Sequence, residues 1–143
     1  MNNLTARIIL LNSKKEILVL KDKDSNYWGL PGGGIKLSES PQKGLAREIK
    51  EEISIKLLFN LKLVGVEYRQ DKKNSEVIFV FYGGILSNRN IAKIKPDNEI
   101  SKAKFINTAR AYRLLTPSMT RRLRLIIPNI TKGMVYLENG QKV

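Results

Sequence analysis

The chain has 143 residues, with 26 Lys and Arg against 13 Asp and Glu, no Cys and no His. That length suits one compact domain with its own core; the missing cysteines exclude a disulfide scaffold and a zinc–cysteine site, and the missing histidines exclude the usual proton shuttle. Acid–base chemistry falls to Glu, Asp, Lys, Tyr or a metal-held water, and the formal charge of +13 reads first as scattered solvated lysines, then as a funnel for an anionic substrate, and last, for want of a motif, as a nucleic-acid surface.

The N-terminal stretch has no signal-peptide layout and no run is long enough to span a membrane, so a soluble, cytoplasmic protein is expected. Residues 4–12 and 15–21 read as two β-runs joined at Asn12–Ser13–Lys14, the second apolar enough to be covered on both faces. Arg7 interrupts the first run, and points either into a cleft to meet a phosphate or out to solvent. A polar loop, Asp22–Asn26, leads to Tyr27-Trp28-Gly29-Leu30-Pro31 and the glycines 32–34, a turn whose backbone N–H groups can approach a phosphate. Trp28 and Tyr27 either cover a core or stack on a base.

Ser40-Pro41 marks a helix start, Ser as cap and Pro at the first helical position. Leu45, Ile49 and Ile53 then recur every four residues, with Ala46 beside them, as a core-facing stripe. The β-rich segments 56–69 and 76–86 suggest an antiparallel hairpin around Gln70–Ser75. A polar loop, Arg89–Asn98, precedes a strand over 99–107. Helices are expected over 108–115 and 117–127, with Thr116-Pro117 restarting the second and Pro128 stopping it. In that second helix Leu123, Ile126 and Ile127 are expected to face the core while Arg121, Arg122 and Arg124 face solvent. The tail, 133–143, holds a short strand or a hairpin at Asn139-Gly140. No repeat or composition break divides the chain, so one α+β domain over 1–143 is expected.

The densest chemistry lies between Gly33 and Ile55. Glu39, Glu48, Glu51 and Glu52 crowd around one short helix, and like charges at helical spacing repel, so a cation is expected among them. At about 100° per residue, Glu48 and Glu52 lie one turn apart on nearly one line, Glu51 flanks them, and Arg47 and Lys50 fall on other parts of the surface. Glu52 also adjoins the stripe of Ile49 and Ile53, and a partly buried carboxylate needs a metal ion or an arginine. Without His or Cys, a hard divalent cation held by carboxylate oxygens is the natural candidate. An ordinary solvated acidic face is the alternative.

These residues resemble the Nudix box, G-x5-E-x7-R-E-U-x-E-E-x-G-U with U aliphatic. Gly33 fits the first position, Glu39 the next acid, Arg47-Glu48 the central pair, Ile49 the aliphatic position, Glu51-Glu52 the paired acids and Ile55 the last position. Ser54 stands where the pattern has Gly, a position suited to a left-handed helix stop. Trp28 to Gly33 resembles the approach to the box in MutT-like members. The resemblance implies an α/β/α sandwich around a mixed β-sheet, with the box as a loop–helix–loop. It also implies hydrolysis, dependent on Mg²⁺ or Mn²⁺, of a nucleoside diphosphate linked to another group, such as a nucleoside triphosphate or ADP-ribose.

Carried to this chain, the resemblance makes Glu48, Glu51 and Glu52 metal ligands, with Glu39 as an outer or additional one. Arg47 is implied to orient and charge-balance a glutamate, and the general base to be Glu48, Glu51 or Glu99. Gly32, Gly33, Arg7 and Trp28 are the candidates for the phosphate and substrate side. A Nudix-fold sensing module and an RNA 5′-end pyrophosphohydrolase stay open as alternatives, although no nucleic-acid motif accompanies the arginines of 110–124. Related domains are often homodimers.

Overall fold

The computed structural model describes residues 2–57 and 61–143, and their apolar alternation is used to cover both faces of one sheet. Its strands are β1 (Asn2–Leu11), β2 (Ile17–Asp22), β3 (Trp28–Gly29), β4 (Gly32–Gly34), β5 (Lys62–Gln70), β6 (Ser75–Ile85), β7 (Ile100–Ile106), β8 (Val135–Glu138) and β9 (Gln141–Lys142). The order across the sheet is β3-β2-β1-β6-β5-β8-β9, with β4 also on β1 and β7 also on β2. β1 runs parallel to β6 and β5 parallel to β8, while the other pairs are antiparallel, so the sheet is mixed.

One face carries α1 (Pro41–Ile53). Its stripe of Leu45, Ile49 and Ile53 is fully buried against Ala6, Ile8, Leu10 and Leu18. Burying each such aliphatic side chain contributes roughly 1.5–3 kcal/mol over leaving it exposed. Ser40 caps the helix by accepting from the Lys43 N–H, with Pro41 in the first turn, as the sequence suggests. The other face carries α3 (Thr108–Leu114) and α4 (Pro117–Ile126), whose Ala111, Met119, Leu123 and Ile126 pack on Ile9, Ile17, Val19 and Val80. The expected α/β/α sandwich around a mixed sheet is therefore the observed one.

Several boundaries differ from the sequence reading. Lys15 adopts a positive φ of 60° inside the turn after β1, and the Asn12 N–H pairs with the Glu16 carbonyl, so β2 starts at Ile17 rather than at residue 15. The expected strand over 56–69 begins only at Lys62; residues 58–60 of that span lie outside the described residues. The polar loop Arg89–Asn98 contains one short helix, α2 (Asn88–Ile91), capped by Ser87. The glycine turn is partly strand: β3 pairs with β2 and β4 with β1. At the tail the hairpin at Asn139-Gly140 is present, both residues taking positive φ as a tight turn requires.

The main correction concerns α4. Arg121 and Arg124 face solvent, but Arg122 is buried, and Ile127 lies beyond the helix in a 3₁₀ turn (Ile127–Asn129) that contains Pro128. The Arg122 Nε donates to Glu67 Oε1 of β5 at 2.6 Å, and the two side chains are only 5% and 2% exposed. A helix pattern alone cannot show this, because the partner is 55 residues away. Breaking a buried ion pair by removing one member leaves an uncompensated charge. Glu67→Ala is therefore expected to lower unfolding free energy by about 3–5 kcal/mol, measured by urea denaturation, whereas Arg121→Ala should change it by less than about 0.5 kcal/mol. Equal effects of the two substitutions would contradict the assignment.

Candidate active site

Gly32 is the meeting point of three elements. Its φ is +135°, and a Cβ built there would collide with the Ala6 carbonyl oxygen of β1, so only glycine lets β4 lie against β1. Its N–H donates to Glu52 Oε1 of α1 at 2.8 Å, and its carbonyl accepts from Arg7 Nη1 at 3.1 Å. Arg7 Nη1 also donates to the Leu30 carbonyl at 3.0 Å. The Gly32 N–H, a donor that sequence assigns to the phosphate side, here meets a carboxylate, while Gly32 itself lines the cavity. Gly33 matters in a different way, through a side chain and not through backbone. A Cβ there would lie 2.7 Å from the Glu48 carboxyl group, so the absence of a side chain makes room for Glu48.

Arg47 is the cation among the acids. Helical geometry assigns it to another part of the surface, yet its long side chain reaches round. It donates to Glu39 at 2.7 and 3.0 Å, to Glu48 at 3.0 Å, to Glu51 at 3.2 Å and to the Gly34 carbonyl at 3.0 Å. The hydrogen bond from Arg47, helped by the Lys36 N–H, pulls the Glu39 carboxyl down to about 2. The same contact with Glu39, followed by those with Glu48, raises the Arg47 guanidinium above its ordinary range.

Glu48, Glu51 and Glu52 line one open cavity of about 640 Å³. Asp22 and Asp24, at and beyond the end of β2, and Asp97 and Glu99, from the loop before β7, line it as well. Seven of the chain's 13 acids therefore meet here, in a molecule of net charge +13, against Arg7 and Lys23 as the basic lining residues. The 95–99 loop is stitched to the end of α1 by Lys95 N–H to the Ile53 carbonyl and Asp97 N–H to the Glu52 carbonyl. Ser54 ends the helix with φ 63° and ψ 24°, the left-handed conformation the resemblance implies at that place. Its hydroxyl donates to the Lys95 carbonyl at 3.2 Å, a bond that glycine cannot make.

Of the residues singled out from sequence, Arg7, Trp28, Gly32, Glu48, Glu51, Glu52 and Glu99 come together at this cavity. Glu39 does not line it, being held by Arg47 and the Lys36 N–H. Trp28 packs on the core below α3 and α4, as one of its two readings has it, and also lines the cavity, with the Lys104 ammonium 5.6 Å from its ring centre. Asp22, Asp24 and Asp97 were not read from the sequence. The cluster Pro96-Asp97-Asn98-Glu99 carries a signal for Asp97, whereas Asp22 and Asp24, at and beyond the end of β2, have no distinguishing spacing.

Glu52 is the electrostatically costly member. Burial raises its carboxyl from 4.5 to about 7, against the opposing pull of the Gly32 N–H and Arg7, while Glu48 and Asp22 push it further up. Because the folded value exceeds the unfolded one, the fold binds an extra proton between the two, and stability falls as pH rises through that window. The oxygen-only donors and a desolvated carboxylate short of positive charge fit a hard divalent cation. Among the described residues, though, no three carboxylates converge on one point, Arg47 drawing Glu48 and Glu51 aside. In metal-free protein Glu52→Gln should raise the melting temperature at about pH 8.5 and change it little at about pH 4. A shift of equal size at both pH values would sink the assignment.

Comparison with known proteins gives the family and the fold. The family described as NUDIX domain matches residues 1–129. A provisionally named 8-oxo-dGTP diphosphatase of Bacillus subtilis (strain 168) is 30% identical over 118 residues, covering 82% of this chain and 75% of that one. An RNA pyrophosphohydrolase of Orientia tsutsugamushi (strain Boryong) is 47% identical over 58 residues, which cover 36% of each protein. Among solved structures, a MutT protein from Methanosarcina mazei Go1 shares the fold with a TM-score of 0.75 at 20% identity, covering 92% of this chain and 96% of that one. The chain belongs to the NUDIX family. It is a hydrolase of the class that acts on phosphorus-containing acid anhydrides.

Proposed function

We propose that this cleft hydrolyses a phosphoanhydride bond in a nucleoside diphosphate joined to a second group. The observation that carries the reading is the Glu52 carboxylate, desolvated beside Gly32, on the same helix and cavity wall as Glu48 and Glu51. Glu48, Glu51 and Glu52 are the residues that would hold a divalent cation, Mg²⁺ or Mn²⁺, with Glu39 outside that set. When bound, such an ion offsets the charge of the phosphates and favours attack by water.

The remaining work belongs to the chain. Arg47 holds Glu48 and Glu51 by their carboxylates and keeps the crowded acids charge-balanced. Arg7 brings a guanidinium to the cavity beside Glu52, where it suits a phosphate oxygen of the substrate. Glu99, exposed on the rim, is a candidate to accept the proton of the attacking water, as are Glu48 and Glu51. Tyr27 and Trp28 offer aromatic faces along the same wall for a base. The relatives' names differ in the group attached but share the anhydride, so the anhydride is what this proposal carries over.

The test is a panel of nucleoside triphosphates, ADP-ribose and nucleotide sugars with Mg²⁺ or Mn²⁺, scored by chromatography of the products: phosphate or pyrophosphate from the triphosphates, and a nucleoside monophosphate with a sugar phosphate from the others. Cleavage of at least one is expected. Glu52→Gln should lower kcat/KM by roughly a hundredfold or more, the scale on which groups bearing on transition-state charge are felt. Arg47→Lys, which loses the forked contacts, should lower it by about tenfold. No turnover with either ion, or wild-type turnover by Glu52→Gln, overturns the reading; tight nucleotide binding without turnover would point to a sensing role.

A further inference from the structure

Arg69 and Arg121 stand far apart in the sequence, and the fold brings them to one small cavity. Arg69 follows Glu67 on β5 with one residue between, so both side chains leave the sheet on the face that α4 covers. On α4, Ser118, Arg121 and Arg122 recur at helical spacing and share one side of the helix, where Arg122 pairs with Glu67. The tail turn closes the third side. The Asn139 N–H donates to the Tyr68 carbonyl at 2.9 Å, and Asn139 Oδ1 accepts from the Gln70 N–H at 2.9 Å. The cavity between β5, α4 and this turn measures about 70 Å³ and is lined by Glu67, Arg69, Ser118, Arg121, Asn139 and Gly140. It lies behind α4 from the cleft, because Thr116 and Met119 line the cleft while Ser118 and Arg121 line the cavity.

Neither Arg69 nor Arg121 forms an ion pair with a carboxylate among the described residues. Glu67, the acid on the described lining, already accepts from Arg122 Nε at 2.6 Å. Asp71, beyond Arg69, lies outside the lining, and its carboxyl is held low by the Lys73 and Asn74 N–H groups before Arg69 adds its field. Gly140 shapes the space. At its φ of +83°, a Cβ would lie 2.9 Å from Arg121 Cδ and 3.0 Å from Arg121 Nη1, so bare backbone lets the guanidinium lie along the turn. The Asn139 side chain has its oxygen engaged, which leaves its amide NH₂ to donate. The Ser118 hydroxyl sits 3.5 Å from Thr116 Oγ1, at the limit of a hydrogen bond, and is free to donate elsewhere. The cavity thus presents donors, two of them carrying unpaired charge, around a neutralised carboxylate. Two like charges held at one cavity repel, and an anion between them offsets the repulsion.

We propose that this cavity is a binding site for inorganic phosphate, separate from the cleft. Its volume sets the size of the ligand. About 70 Å³ is roughly the space of two waters at about 30 Å³ each, room for one tetrahedral oxyanion and too little for a nucleoside. The guanidinium groups set its class, because their planar forks pair with two phosphate oxygens at once, a match that a chloride ion lacks. The Asn139 amide and the Ser118 hydroxyl suit the remaining oxygens. A phosphate held there ties β5, the first turn of α4 and the tail turn together, and no covalent bond changes. The site uses none of the residues assigned to the hydrolase reading, so it stands or falls apart from that reading.

The test is isothermal titration calorimetry of metal-free protein with sodium phosphate, at an ionic strength fixed with sodium chloride so that screening of the net charge stays constant. Arg69→Gln/Arg121→Gln is compared with Arg110→Gln/Arg113→Gln, which removes the same charge from exposed positions of α3 outside the cavity. Circular dichroism confirms that each variant is folded. The first variant should bind phosphate at least about tenfold more weakly, the scale on which hydrogen bonds to charged groups are felt. The second should stay within about twofold of wild type. The melting temperature of wild type should rise more with phosphate than with chloride of equal ionic strength, and Arg69→Gln/Arg121→Gln should lose that difference. Glycerol phosphate, with the same headgroup and added bulk, should bind more weakly than inorganic phosphate; the reverse order would give the cavity to a phosphomonoester and overturn the assignment to the free ion. Equal weakening in both variants reduces the effect to general charge and overturns the site. Unchanged binding by Arg69→Gln/Arg121→Gln puts the ion in the cleft beside Arg7 and overturns it as well, as does a wild type that takes up no phosphate at millimolar concentration.

Discussion

The contact on which the site depends is the approach of Gly32 to β1. Without a side chain, and with φ in a region other residues avoid, Gly32 brings β4 onto Ala6 and Arg7. Its N–H then lies where it meets the Glu52 carboxylate, and its carbonyl where it meets Arg7. One peptide unit thus joins the helix that carries the acids to the strand that carries the nearest cleft cation. Any side chain at this position would part β4 from β1 and move both groups together. The adjoining Gly33 extends the same logic, clearing the space that Glu48 occupies.

Charge is sorted over the molecule with little neutralisation at long range. More than half of the acids converge on the cleft, and the α3–α4 face has none. Arg47 reduces the repulsion among Glu39, Glu48 and Glu51 but forms no ion pair with Glu52, which relies on a backbone donor and on the field of Arg7. The acid cluster is therefore balanced at its outer edge and short of positive charge at its inner one. That asymmetry distinguishes the wall of the cavity from an ordinary acidic helix surface, where solvent would screen every member alike.

The buried Glu67–Arg122 pair shows the same economy on the opposite layer. Taking two charges out of water costs several kcal/mol per ion, which only a close, hydrogen-bonded partner offsets. The pair pins α4 to β5 at a chosen rotation, with Leu123 and Ile126 packed beneath it and Arg121 and Arg124 turned outward. Met119, one turn earlier, is carried to the cavity wall, where its sulfur accepts from the Leu30 N–H. The orientation of the helix, the shape of the cleft and the basic outer face follow from one packing decision.

The sequence by itself determined whatever depends on short range and on spacing. Ser40-Pro41 sets the start of α1, the four-residue recurrence of Leu45, Ile49 and Ile53 sets its buried face, and Asn139-Gly140 sets the tail turn, because each is a local preference of backbone or side chain. The pattern from Gly33 to Ile55 placed Glu48, Glu51 and Glu52 on one helix for the same reason. Only the tertiary structure decided which groups those acids meet. The reach of Arg47 back to Glu39, the loss of the Gly32 N–H to Glu52, the arrival of Asp22, Asp24 and Asp97, and the burial of Arg122 on Glu67 all join residues distant in sequence or turned by packing. Burial and partnership set the energy of a charge, and neither is a property of the residue or its neighbours along the chain.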